Sequence, residues 1–131
     1  MKKKKLKKDS LSSKKKEAKA VFQRWIRMRD ADDNGYIKCV TCPKILPWNQ
    51  GMDGGHFIPA TYLSTCFNER NVHGQCKGCN NWKGGAWAEY TDFMVATYGH
   101  CFVDQLQMEK HKFVKYKVSD YQEIIDIYTD K

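Results

Sequence analysis

The chain contains no apolar run long enough to cross a membrane, and no segment of it is repeated. Its basic N-terminus lacks the apolar stretch of a secretory signal. We therefore expect a protein without a membrane partner that folds under the reducing conditions of a cytosol. Under those conditions paired cysteines favour a metal ion over a disulfide, so those of the six cysteines that form close pairs are candidate metal ligands.

Most of the chain has no net positive charge, because the surplus of basic residues lies near the N-terminus. Residues 1–19 hold ten lysines against Asp9 and Glu17, whereas the remaining residues carry equal numbers of basic and acidic side chains. We expect residues 1–16 to form a basic tail that is disordered or binds DNA, because lysines neutralise phosphates without choosing a sequence. A solubilising or RNA-binding arm is the alternative. Residues 17–131 are expected to form a single domain.

The cysteines include two C-x-x-C pairs: Cys39 and Cys42, Cys76 and Cys79. Two thiolates on each tight turn can reach one tetrahedral zinc ion at ~2.3 Å, and four protein ligands leave no open position for a substrate. The spacing therefore predicts a structural Zn²⁺ site. A disulfide framework is the alternative, because the number of cysteines is even. Cys66 and Cys101 are expected to be small buried hydrophobic residues.

Apolar residues recur at helical spacing in several segments. Helices are predicted over residues 17–31, 86–98 and 102–112, and a last one from a capping box at Ser119. Cys39–Ile58 is predicted to be a β-hairpin region. Glycines at positions 51, 54 and 55 indicate a bulge or a close backbone approach beside His56. The elements together indicate an α+β fold.

The motifs follow the order strand, His56, long loop, Asn71, second cysteine pair, Asn80, helix. The residues are Cys39-x-x-Cys42, Asp53-x-Gly55-His56-Phe57-Ile58-Pro59, Phe67-x-Glu69-Arg70-Asn71-Val72-His73-x-Gln75-Cys76-x-x-Cys79-Asn80, and Gly85 followed by Tyr90. This order resembles the ββα-metal, or HNH, nucleases, and more closely the NinG (Rap) family of lambdoid phage recombination endonucleases. The resemblance implies a small zinc-stapled ββα-metal core with flanking helices at both ends.

The same resemblance implies an activity and a setting. Such proteins are implied to cut branched DNA, of the Holliday-junction or D-loop type, during phage recombination. A phage- or prophage-encoded protein of this kind would act in the cytoplasm of the bacterial host cell. Symmetric cutting of a junction would require a two-fold dimer, so a homodimer is a further expectation.

Phosphodiester hydrolysis requires an activated water and a cation near the phosphate oxygens and the leaving oxygen. His56 is the candidate general base, because a neutral imidazole can take the water's proton near neutral pH. Asn71 is expected to orient this imidazole by accepting its second N–H. A structural histidine or a fourth metal ligand is the alternative for His56, although four cysteines already complete the zinc site.

Asn80 directly follows Cys79, so the zinc would fix its backbone. Its amide oxygen suits Mg²⁺ or Mn²⁺, and in the family pattern this position binds the catalytic metal. An ordinary helix N-cap is the alternative.

The second ligand of that catalytic metal is harder to identify. Many ββα nucleases carry an Asp or His immediately before the general base, where this chain has Gly55. In an ideal strand, Asp53 lies on the same face as Gly55 but ~6.6 Å away from it. It is the candidate, and the alternatives are His73, Glu89 and His56 itself.

The candidate DNA contacts are cations and one indole: Arg70, Lys83, His73, Trp82, Arg24 and Arg27. Arginine can grip a phosphate through two donors, and an exposed indole can stack on an unpaired base. An Arg70–Glu69 ion pair and a solvated face of the first helix are the alternatives. Trp48 and Trp87 are weaker stacking candidates, and Trp87 is expected in the core.

A rival to the nuclease is a non-catalytic Cys₄ zinc module that binds nucleic acid. It explains the charge and the cysteines equally well. It does not require His56 and Asn80 to face a common pocket, whereas the nuclease hypothesis does.

Overall fold

Residues 10–131 are described by the computed structural model, and they divide into two units. One unit consists of the chain up to Trp25 together with Lys115–Lys131, and the other consists of Ile26–Val114. The prediction of a single domain did not anticipate this division. Residues 1–9 of the predicted tail lie outside the described residues. Within residues 10–131, no helix is both long and apolar enough to cross a membrane.

The first unit is built from the two ends of the described chain. Helix α1 (Leu11–Asp30) begins six residues before the predicted start, because Ser10 Oγ accepts the Ser13 N–H at 3.2 Å and no helix breaker follows. The last helix, Val118–Asp130, is capped by Asp120 Oδ2, which accepts the Lys117 N–H at 2.7 Å. The cap therefore lies two residues before the predicted one.

The apolar side chains of this first unit meet between its two helices. The Phe22 ring contacts the Tyr128 ring edge to face, with centroids 4.8 Å apart. Ala18, Phe22, Tyr121 and Ile125 are buried. This packing explains why the two ends of the chain form a unit of their own.

The second unit contains two small antiparallel sheets. Strand β1 (Tyr36–Lys38) pairs with β2 (Ile45–Pro47), and β3 (Met52–His56) pairs with β4 (Val72–Cys76). The predicted single hairpin over Cys39–Ile58 is therefore wrong, because β3 pairs with a strand further along the chain. Every residue of β4 is buried, which makes this later strand the better partner for β3.

The glycines in β3 serve a close approach and not a bulge. Strands β3 and β4 pair through five consecutive residues, from Met52 opposite Cys76 to His56 opposite Val72. A Cβ atom added at Gly55 would lie 2.0 Å from Gln75 Oε1, so no larger residue fits there without a shift.

The remaining elements surround the second sheet. They are α2 (Leu63–Cys66), a π-helical turn (Gly78–Trp82), α3 (Trp87–Tyr98) and α4 (His100–Glu109). A hydrophobic cluster joins the end of β3 to α3 and α4: Phe57, Ile58, Tyr90, Met94, Val103 and Leu106. Val118–Asp130 is α5. The α+β class is confirmed, while the ββα-metal assignment stays a prediction.

Candidate functional site

The four paired cysteines meet at one point. The Sγ atoms of Cys39, Cys42, Cys76 and Cys79 all lie within 4.8 Å of one another. Cys42 Sγ and Cys76 Sγ are 3.8 Å apart, which is about the edge of a tetrahedron with four sulfurs at ~2.3 Å from zinc. The predicted ligand set is therefore assembled, and its all-thiolate chemistry suits a closed structural Zn²⁺ site.

Backbone donors support the charge of this cluster. The Cys76 N–H donates to Cys39 Sγ at 3.3 Å. Burial raises the pKa of Cys39, but this N–H and the Thr41 hydroxyl outweigh burial and lower it to about 6. Burial raises the pKa of Cys79 to about 12 and also raises that of Cys42. A bound cation is thus required to deprotonate Cys42 and Cys79 near neutral pH.

His56, the candidate base, lies at the end of β3 and is half-buried. Its Nε2 is 2.9 Å from the carbonyl oxygen of Cys66, the last residue of α2. A carbonyl can only accept, so Nε2 carries a hydrogen and donates it to the Cys66 carbonyl. Cys66 is buried as predicted, whereas Cys101 is exposed and that part of the prediction is wrong.

Asn71 does not make the predicted bond to the imidazole. Its Oδ1 accepts the Ile58 N–H at 2.7 Å, and its Nδ2 donates to the carbonyls of Ile58 and Thr65 at 3.0 and 3.1 Å. These segments flank His56 and the Cys66 carbonyl. The side-chain amide of the fully buried Asn71 is hydrogen-bonded to backbone groups on both sides. Asn71 therefore holds the two backbone segments that position the His56 ring.

Asp53 and Asn80, the candidate ligands of a second metal, are brought together. Asn80 Nδ2 donates to Asp53 Oδ2 at 3.0 Å, and Lys77 Nζ lies 2.6 Å from Asp53 Oδ1. Asn80 is positioned by the π-helical turn Gly78–Trp82, which also contains Cys79 of the second pair. The contact places Asn80 beside β3, and metal binding by these two residues stays a prediction.

Strand geometry separates His56 from this pair. Side chains alternate between the two faces of a strand, so Asp53 and Gly55 share one face of β3 and His56 emerges from the other. The register agrees, because Asp53 lies opposite Gln75 while His56 lies opposite Val72. The uninterrupted pairing also excludes the bulge that was expected to bring Asp53 towards His56.

His73, predicted to contact DNA or a metal, is instead buried between two tyrosines. Its Nδ1 is 3.1 Å from the Tyr90 hydroxyl, and its Nε2 is 2.7 Å from the Tyr98 hydroxyl. The Tyr90 O–H donates to the Gly55 carbonyl at 2.6 Å, so it accepts from Nδ1–H. The Tyr98 O–H then donates to Nε2, and the ring is neutral.

The surroundings of His73 keep it neutral. Burial, together with the positive charge of Arg29, lowers the pKa of His73 to about 4, although the negative charge of Asp30 opposes the shift. Burial likewise raises the pKa of Tyr90 well above its usual value. Both nitrogens of His73 are hydrogen-bonded inside the protein, so the DNA-binding prediction is wrong for this residue.

The other candidate DNA contacts differ in exposure. The exposed Arg70 guanidinium lies over the rings of Tyr98 and Phe102, at 5.6 and 5.3 Å from their centroids. Arg27 Nη1 donates to the Trp48 carbonyl at 3.3 Å, so it has a structural contact. The other exposed candidates are Arg24, Lys83 and Trp82.

Of the tryptophans Trp82 and Trp87, only Trp87 differs from expectation. Trp82 is 91% exposed and Trp87 is 59% exposed, so the prediction that Trp87 lies in the core is wrong. The Trp87 ring stacks on the Phe57 ring at 6.2 Å, which covers only one of its faces.

A family model described as "Bacteriophage Lambda NinG protein" matches residues 1–131. The chain belongs to the NinG family. Similar proteins include "Protein ninG" of Escherichia phage lambda, 30% identical over 98 residues, which cover 74% of this chain and 45% of the relative. "Protein ninG" of Salmonella phage P22 is 28% identical over 117 residues, covering 88% of this chain and 54% of the relative.

The chain spans about half the length of these NinG relatives. A third, "Protein ninG" of Escherichia phage 933W, is 29% identical over 98 residues, covering 74% of this chain and 46% of the relative. No solved structure matches the chain. The NinG name itself states no reaction, so activity is argued from the residues.

Three contacts of this NinG-family chain carried no signal in the sequence. The Cys66 carbonyl takes the place expected for Asn71 beside His56. Arg29 donates to the Glu69 and Val72 carbonyls at 2.7 and 2.8 Å. These partners lie far apart in sequence or are backbone groups, which no spacing rule reveals.

Proposed function

We propose that the chain is a metal-dependent endonuclease of the HNH type that cuts branched DNA in phage recombination. The observation that carries this proposal is the hydrogen bond from His56 Nε2 to the Cys66 carbonyl. A ring held in this way presents Nδ1 as its basic atom. NinG membership, together with the resemblance of the motifs to HNH nucleases, supports the same reaction class.

The protein supplies the base from a rigid strand end. His56 is the last residue of β3 and is half-buried. Asn71 holds the backbone on both sides, so the imidazole does not have to be ordered during the reaction. The role of His56 is to accept the proton of the attacking water at Nδ1.

Asp53 and Asn80 are the residues that would hold a Mg²⁺ or Mn²⁺ ion. A carboxylate and an amide oxygen are ligands of the kind these ions take, and such sites keep several waters. Both Asp53 oxygens already accept hydrogen bonds, Oδ1 from Lys77 Nζ at 2.6 Å and Oδ2 from Asn80 Nδ2 at 3.0 Å, so the ion would take the place of these donors. When bound, the ion supplies charge neutralisation at the phosphate.

Affinity for DNA would come from exposed cations and an exposed indole. Arg70 and Lys83 are exposed, and Trp82 presents almost its whole ring for stacking on an unpaired base. A basic N-terminal tail adds phosphate contacts that are sensitive to salt. Stacking and backbone contacts select for DNA shape, which is why branched DNA is the proposed substrate.

The decisive experiment compares wild type with His56→Ala on linear, forked and four-way DNA, with and without Mg²⁺. We expect wild type to cut the branched forms only with the ion. The variant should cut about 10²–10⁴-fold more slowly while binding DNA equally well, because a lost general base costs about that much. His111→Ala is the matched control, since that histidine is exposed and outside the site. Residual cutting by His56→Ala within about tenfold of wild type would remove His56 as the base.

A second candidate function is the non-catalytic zinc module that binds nucleic acid. The opposite faces of β3 taken by Asp53 and His56 favour it, because a catalytic ion and base should share one pocket. The same experiment separates the two functions. Under this reading wild type binds the DNA substrates but cuts none of them with Mg²⁺ or Mn²⁺.

A further inference from the structure

Gln75 has a buried oxygen that its surroundings do not use. The residue lies in the middle of β4 and is 0% exposed. Its Nε2 donates to Thr41 Oγ1 at 3.0 Å and to the Gly85 carbonyl at 2.8 Å. Its Oε1 is buried and accepts no hydrogen bond from any residue within 10–131. Buried polar atoms nearly always have a partner, so this oxygen requires an explanation.

The direction of the Gln75 amide is determined by its neighbours. The Gly85 carbonyl can only accept a hydrogen bond, so the amide nitrogen must face it. Turning the amide over would place two acceptors against each other. The oxygen therefore points to the other side, where a Cβ added at Gly55 would meet it at 2.0 Å. Oε1 thus occupies the space that a side chain at position 55 would fill.

The same face of the sheet carries the candidate cation ligands. Asp53 lies directly opposite Gln75 in the β3–β4 register, and side chains in such pairs are neighbours on one face. Asp53 in turn accepts a hydrogen bond from Asn80. This face therefore carries the Asp53 carboxylate, which contacts the Asn80 amide, and the unused oxygen of Gln75.

We propose that Gln75 Oε1 is a third protein ligand of the divalent cation held by Asp53 and Asn80. The inference rests on the cation site of the proposed function and deepens it. Gly55 in β3 has no side chain and cannot provide a ligand. Gln75 in β4 would provide the oxygen ligand in its place. Mg²⁺ and Mn²⁺ accept such neutral carbonyl oxygens beside a carboxylate, and a buried acceptor beside a carboxylate is stabilised when a cation lies between them.

The test measures Mn²⁺ binding by the loss of the free-ion electron paramagnetic resonance signal. The full chain is used with its cysteine cluster loaded with zinc, which binds thiolates more strongly than Mn²⁺ does. Gln75→Met keeps the length of the side chain and removes the oxygen. We expect its dissociation constant for Mn²⁺ to rise at least about tenfold, and Asp53→Ala to weaken binding as well. The exposed Gln105→Met on α4 is the matched control and should bind as wild type does.

The outcomes distinguish a failure of the Gln75 proposal from a failure of the cation site on which it rests. Wild-type affinity in Gln75→Met, with weaker binding in Asp53→Ala, overturns the role of Gln75 and leaves the cation site standing. Equal binding in wild type, Gln75→Met and Asp53→Ala, or none in wild type, overturns the cation site itself.

A second measurement on the wild-type chain decides the matter if Gln75→Met does not fold. The ¹³C resonance of Gln75 Cδ is followed during titration with Mg²⁺. Direct ligation should shift this resonance in step with saturation of the site, while Gln105 Cδ stays unchanged. A Gln75 resonance that does not move at saturating Mg²⁺ overturns the proposal.

Discussion

At the scale of single residues, the partners of buried polar groups assign roles that residue type alone leaves open. Asn71 and His73 are both buried, and both satisfy their polar atoms inside the protein. His56 is half-buried and turns one nitrogen to a carbonyl. Of these three, only His56 has the combination of exposure and orientation that a general base needs.

The lowered pKa of His73 predicts a pH dependence of stability. With a folded pKa of about 4 against 6.5 when unfolded, the unfolded chain binds more protons between those values, so stability rises with pH across that window. The full effect is about 3 kcal/mol, since each pKa unit corresponds to about 1.4 kcal/mol. The loss levels off below pH 4.

Urea unfolding of wild type and His73→Gln from pH 4 to 7 measures this contribution. We expect the variant to lose the part of the slope that His73 causes, while changes at the cysteine cluster remain common to both proteins. The exposed His100→Gln is the control and should keep the wild-type slope. Parallel curves for wild type and His73→Gln contradict the prediction.

At the scale of elements, strand β4 joins every part of the candidate site. All five of its residues are buried, and it ends at Cys76 of the metal cluster. The Val40 N–H donates to the Gly74 carbonyl at 2.9 Å, which ties the first cysteine pair to this strand. A Cβ added at Gly74 would meet Ile37 Cγ2 at 2.6 Å, so β1 also packs closely on it. The cluster and β4 therefore support each other.

This coupling predicts that Cys76→Ser loses both the metal and the fold of the second unit. Structural zinc contributes folding free energy directly, so the variant should bind less than one zinc per chain and unfold at a clearly lower temperature. Zinc content and the thermal midpoint with and without chelator measure this. Cys101→Ser is the matched control, because Cys101 is an exposed cysteine outside the cluster. A normal midpoint of Cys76→Ser in chelator excludes a structural zinc.

At the scale of the whole molecule, the predicted N-terminal tail contains both a lysine-rich segment and the start of helix α1. Residues 11–16, which were assigned to the predicted tail, belong to helix α1. Six of the lysines precede that helix, within residues 1–9. A DNA-binding tail is therefore best tested on residues 1–9 alone, since a longer deletion would also remove part of the first unit.

Deleting residues 1–9 should weaken binding to four-way DNA and flatten its dependence on salt. Each phosphate contact contributes about 0.9 to the slope of log K against log salt, so six lysines contribute about 5 at most. Titrations at several salt concentrations measure the slope. Changing the same lysines to glutamine in the full chain separates charge from length. An unchanged slope in both variants means that the tail does not contact DNA.

The amino-acid sequence by itself determined the cysteine cluster and the α+β class. These follow from ligand type, apolar periodicity and short spacing, which act locally along the chain. The tertiary structure alone decided that β3 pairs with β4, that the Cys66 carbonyl orients His56, and that His73 is buried. It also left Gln75 with an unused oxygen. Those contacts join residues distant in sequence or use backbone groups that every residue shares, so only packing in three dimensions selects among them.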